Sequence, residues 1–126
     1  MNKYSQLSHA HFEHRLWKNE LEMIAQETDF FLSVVEDMPL GVPNLEKEYF
    51  INQFHHFQRL IKRLLQELAT LQKTVAEGVL DENILDSEQK LDHKYMREEM
   101  DYFEQDYKAV KKKFRGFIAA RQEIFT

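Results

Sequence analysis

The stretch FINQFHHFQRLIKRLLQELATLQKTV, residues 50–75, decides the fold. Eight of its large apolar residues, Phe50, Phe54, Phe57, Ile61, Leu64, Leu68, Leu71 and Val75, are separated by steps of three and four. On an α-helix such steps hold one stripe on one side, because residues three and four apart are surface neighbours. A half-buried strand would alternate with period two instead. Kept up over three or more heptads, the pattern is the signature of helices that supercoil around one another.

The same rhythm continues on both sides of this stretch. Before it run Leu7, Ala10, His14, Trp17, Leu21, Ile24, Thr28, Phe31, Val35 and Met38. After it run His93, Met96, Met100, Phe103, Tyr107, Val110, Phe114, Phe117, Arg121 and Ile124. Two groups of breakers separate the three seams, Pro39 to Asn44 and Gly78 to Asn83. Pro39 cannot continue a helix and disfavours helical geometry at Met38. Asn44 is a good N-cap, with Glu46 and Glu48 placed favourably at the positive helix end. Gly78 suits the C′ position of the second helix, and Asp81, Asp86 or Ser87 suits the cap of the third.

The chain is expected to be all-α, one domain spanning residues 1–126, with helices over about 6–38, 44–77 and 86–125. Short connections make neighbouring helices antiparallel, giving an up-down-up three-helix bundle with coiled-coil-like heptad packing. At about 1.5 Å per residue each helix is on the order of 45–60 Å long.

Composition narrows the function classes. Of 126 residues only 3 are Gly and 2 Pro, about a third of the usual share, which excludes turn-rich all-β designs. The chain has no cysteine, so disulfide frameworks, thiol chemistry and Cys-based metal sites are ruled out. The 17 Lys and Arg against 22 Asp and Glu leave a net charge of −5, which argues mildly against non-specific nucleic-acid binding. No stretch reads as a signal peptide or a membrane span, and a cytoplasmic location is expected.

Some apolar residues fall outside the seams. Leu16, Met23 and Phe30 recur every seven residues on the first helix, and Leu91, Tyr95 and Tyr102 flank the seam of the third. Contiguous exposed apolar surface usually marks a partner site. A second copy, or another helical protein, would then fill the fourth seat of the bundle, and dimerisation would complete it. Alternatively, these residues widen the internal core.

Two histidines, His14 and His93, occupy seam positions where apolar residues are expected. Registering the helices by their loops places both in one layer at the same end of the bundle. His11 stands three residues before His14. Imidazole suits zinc, iron, copper or nickel, so His11, His14 and His93 form a candidate metal cluster, with Glu13, Glu67 or Glu20 as carboxylate neighbours. The structural alternative is that a polar seam residue fixes register, its ring nitrogens satisfied by other side chains or carbonyls. No His has Glu three residues before it, so the repeated Glu-x-x-His motif of di-iron bundles is missing.

Catalytic signatures are also missing: the three glycines at 41, 78 and 116 are too scattered for a phosphate loop, and no serine sits in a nucleophile elbow. Charge is polarised along the third helix. Glu98, Glu99, Asp101, Glu104 and Asp106 precede Lys108, Lys111, Lys112, Lys113 and Arg115, an order that complements the helix dipole. The basic run offers a lower-ranked nucleic-acid reading, since stacking aromatics are not interleaved on its face.

The opening His11-Phe12-Glu13-His14, followed by Trp17 and Glu20-Leu21, resembles that of a group of short, uncharacterised bacterial helical proteins. Phe50 with Asn52-Gln53-Phe54, and His93 with Arg97, resemble that group's second and third helices. The resemblance implies a shared helical fold and no assigned activity.

Overall fold

The computed structural model describes residues 3–39, 44–81 and 87–121. These form three helices and, among the described residues, no strand: α1 (Lys3–Glu36), α2 (Asn44–Asp81) and α3 (Ser87–Ala120). Leu40 to Pro43, Asp86 and Ile124 lie outside the described residues, as do the side chains of Leu7 and Val75.

The breakers act where the sequence places them, with one correction. α1 stops at Glu36, and Asp37 N and Met38 N close the last turn onto Ser33 O and Val35 O. α2 starts at Asn44 with Glu46 in its first turn, where the positive helix end favours a carboxylate. Gly78 does not end α2 as expected; the helix runs on to Asp81. A single Gly inside a helix costs only about 1 kcal/mol relative to Ala, too little to stop a long helix by itself. α3 begins at Ser87, with Glu88 in its first turn.

Every described seam residue on α2 is buried: Phe50, Phe54, Phe57, Ile61, Leu64, Leu68 and Leu71. On α1 the seam is buried at Ala10, His14, Trp17, Leu21, Thr28, Val35 and Met38, and half-buried at Ile24 and Phe31. Leu32, outside the seam, is buried as well. Thr28 satisfies its hydroxyl within its own helix, donating to Ile24 O at 2.7 Å. Each fully buried Leu, such as Leu21, Leu64 or Leu68, contributes about 1.5–3 kcal/mol from apolar burial.

The core changes character along its length. At the end near Pro39, Phe31, Phe50, Phe54, Phe114 and Phe117 stack and meet edge to face, with centroids 5.0–6.3 Å apart. Arg121 closes this end; its guanidinium lies over Phe117 and pairs with Glu46. In the middle, Phe57 meets Phe103 and Tyr107 edge to face. The far end is polar and aromatic: Trp17 with His14 and His93.

Contacts between helices show a steady register. On α1 and α3 the numbers rise together: His14 meets His93, Glu27 meets Tyr107 and Lys111, and Phe31 meets Phe114. Between α2 and α3 they move oppositely: Phe50 meets Phe117, Phe57 meets Tyr107, Arg63 meets Glu99, and Gln89 reaches Thr74 O.

Candidate functional site

His14 and His93 do share one layer, and they bond to each other. His14 Nε2 lies 3.0 Å from His93 Nδ1, and both rings are buried. His93 Nε2 lies 3.2 Å from Glu13 Oε1. Arg97 grips the same carboxylate with two bonds, Nε to Oε2 at 3.1 Å and an Nη2 bond to Oε1 at 2.6 Å. His9 Nε2 approaches Glu13 Oε1 at 2.9 Å from the exposed side. Trp17 covers the pair, with its ring centroid 5.7 Å from His14 and 5.1 Å from His93.

The helix geometry explains this assembly. His14 and Trp17 sit three residues apart on one face of α1, while His93 and Arg97, four apart, share one side of α3. Glu13 precedes the seam on α1 and therefore faces α3. Burial opposes ionisation of Glu13, but hydrogen bonds from Arg97 and His93 outweigh it and hold its carboxyl at about 2. An ionised Glu13 accepts a proton bond from His93 Nε2. In the neutral pair, His93 Nδ1 then carries the lone pair and accepts from His14 Nε2. Burial, then the proximity of His93, pushes His14 down to about 4, so it stays uncharged at neutral pH.

A carboxylate, a histidine and a second histidine in line resemble an acid–base relay. Its terminal ring, however, is only 1% exposed. A general acid or base must reach the proton it transfers, and this ring is enclosed by the bundle. The bonds instead satisfy buried polar groups and tie α1 to α3. The third sequence candidate, His11, is exposed and lies outside the bonded pair. The ring nitrogens of His14 and His93 that face inward face each other. Among the described residues, no group of three or more His, Cys, Asp or Glu is arranged to hold a metal ion.

The carboxylate neighbours are deployed separately. A ladder joins α1 to α3 at a constant separation of 84 residues: Glu13 with Arg97, Glu20 with Glu104, and Glu27 with Lys111. Glu27 also accepts from Tyr107 Oη. Burial raises Glu27, and the bonds from Lys111 and Tyr107 more than offset that, leaving it lowered. Burial, then Glu27, pushes the Tyr107 hydroxyl up. The middle rung puts two carboxyls together: a hydrogen bond with Glu20, then burial, raises Glu104 to about 7. The α2–α3 seam repeats the device, where a hydrogen bond with Glu99, then burial, raises Glu67 to about 7. Arg63 stands 3.5 Å from both carboxyls of that pair. Both carboxyl pairs flank the core, where the seam pattern does not reach. Counting the residues next to each seam at a fixed offset would have found the ladder.

The six flank residues are all exposed, so they do not widen the core; Leu16 is 45%, Met23 69% and Phe30 64% exposed. They do not form a single face. Met23 lines a groove between α1 and α3 with Ile24, Glu27, Glu104, Tyr107 and Lys111. Tyr95 lies on the other side of α3, bonded to Glu99 of the α2-facing pair, and Tyr102 follows it by seven residues. The reason is rotational: Leu16, Met23 and Phe30 adjoin the α1 row that faces α3, whereas Tyr95 and Tyr102 adjoin the α3 row that faces α2. In the basic run, Lys111 is held by Glu27 and Lys113 lies over the Tyr49 ring.

No known family matches the chain, and neither does any curated protein or solved structure. No described helix is long and apolar enough to cross a membrane.

Proposed function

We propose that this protein is a non-enzymatic binding module: an up-down-up antiparallel three-helix bundle, packed in heptads, that self-associates through exposed apolar side chains. One observation carries the reading. Leu16, Met23 and Phe30 stand exposed at seven-residue intervals beside a seam whose described members are buried or half-buried. Single exposed apolar residues are ordinary, but a row of three with a common spacing follows a helix axis and matches what a partner helix reads. The cross-helix contacts described above support the antiparallel course, since residue numbers on α2 and α3 move in opposite directions.

Sedimentation of the wild-type chain over a concentration series tests this. Association is expected, and Met23→Glu combined with Phe30→Glu is expected to reduce it while leaving helicity intact. A wild type that stays monomeric at high concentration overturns the reading.

The metal-binding alternative, with His11, His14 and His93 as ligands, draws on one observation, the meeting of His14 and His93. It requires the mutual bond to open and a third ligand to approach. Metal content of chelator-free protein, compared with His14→Ala, is its test.

A further inference from the structure

Self-association leaves two things undefined: which row carries the contact, and how the copies face each other. α1 and α3 together present one broad face. On α1 it carries Leu16, Met23 and Phe30, a row centred on Met23. On α3, across the carboxylate ladder, it carries Glu98 and Asp101 on one side and Lys108 and Lys112 on the other. That charged row is centred at Gln105, midway between Glu98 and Lys112 and within half a residue of the midpoint of Asp101 and Lys108.

The two centres belong to different residue types on different helices, yet the cross-helix register brings them to the same height. Contacting residues of α1 and α3 differ by 79 to 84 in number. Met23 therefore stands level with residues 102–107, a window that has Gln105 inside it. All of Leu16, Met23, Phe30, Glu98, Asp101, Lys108 and Lys112 are exposed.

A single twofold axis satisfies both rows. An axis lying in the face and perpendicular to the helices, through Met23 and Gln105, sets α1 antiparallel on α1 of a second copy. Leu16 then meets Phe30 of the second copy, and Met23 meets Met23. The same operation sets Asp101 against Lys108 and Glu98 against Lys112, each pair occurring twice. A parallel arrangement of the same faces would lay the apolar row of one copy on the charged row of the other. The same operation brings together two like-charged pairs, Lys94 with Arg115 at the rim about 15 Å from the axis, and Arg97 with Lys112, whose charges Glu13 and Glu98 offset.

We propose that the partner of this face is a second copy of the chain, docked antiparallel about a twofold axis through Met23. The proposal rests on the self-association reading and specifies its geometry. It also assigns Tyr95 and Tyr102 to the outside of this dimer.

Because the sequence has no cysteine, a single introduced thiol reports one position cleanly. Met23→Cys is expected to form a disulfide dimer on mild oxidation. Leu16→Cys alone is expected not to, since its two copies stand about 20 Å apart, far beyond disulfide reach. An equimolar mixture of Leu16→Cys and Phe30→Cys is expected to give the mixed dimer. Asp101→Lys is expected to weaken dimerisation about tenfold, because the axis doubles each altered pair. Adding Lys108→Asp is expected to restore it.

Self-linking of Leu16→Cys would overturn the antiparallel geometry. A chain that sediments as a dimer while neither Met23→Cys nor the Leu16/Phe30 mixture links would place the contact elsewhere, overturning this proposal but not self-association. A monomer in sedimentation would overturn both. Circular dichroism of each variant establishes that the bundle is intact.

Discussion

Acidification should destabilise the bundle through one buried ring. His14 is held at about 4 in the folded chain against 6.5 for an ordinary histidine. Its folded form therefore resists a proton that the unfolded chain accepts. The stabilisation is complete above pH 6.5, declines as the pH falls, and is fully lost below about 4. A shift of this size corresponds to about 3 kcal/mol. His14 is only 1% exposed, so solvent screening reduces this little. The assay is urea unfolding at a series of pH values between 4 and 7.5, on the wild type and on His14→Gln. Glu67 and Glu104 titrate in the same interval but are common to both chains, so the difference between the two curves isolates His14. The gap should close by about 2–3 kcal/mol between pH 7 and 4. Parallel curves would refute the claim that this ring is buried uncharged against His93.

Three further outcomes follow from the structure. The carboxyl pairs act in the opposite pH direction: Glu67 and Glu104 are raised from 4.5 to about 7, so their contribution is complete below 4.5 and lost as pH rises through 7. Glu104→Gln should accordingly gain stability over wild type at pH 8.5 and lose that advantage at pH 5, read from urea midpoints. Gly116→Ala should stabilise by about 0.5–1 kcal/mol, since helix propensity favours Ala and an added Cβ meets nothing within 4 Å. Phe54→Ala, at the centre of the phenylalanine cluster, should cost about 3–5 kcal/mol in the same assay.

The helices were legible because burial imposes a periodicity on sequence: nearly every buried seam residue is an apolar residue at a three- or four-residue step. Even the exceptions were readable. His14 and His93 stood out as polar residues in apolar seams, and loop registration placed them in one layer. Thr28 and Arg121 break the seams as well: Thr28 donates back to Ile24 O, and Arg121 pairs with Glu46. Less legible were contacts that depend on rotation about the helix axes. The six exposed residues looked like one flank because spacing along a helix is visible in sequence and azimuth between helices is not. The same blindness hid the Glu20–Glu104 and Glu67–Glu99 pairs. Gly78 misled for another reason: its penalty is local and small, while the end of a helix is decided by what the whole segment packs against.

Trp17 is the only tryptophan in the chain, and both its aromatic neighbours at the polar end are imidazoles. A neutral imidazole leaves indole emission largely intact, whereas a protonated one accepts the excited electron and quenches it. The native fluorescence of this protein is therefore an intrinsic optical gauge of a single layer. Its emission reports whether the His14 ring carries charge, while the phenylalanines and tyrosines elsewhere contribute almost nothing to indole emission. The molecule needs no attached dye for its interior to be watched as protons arrive.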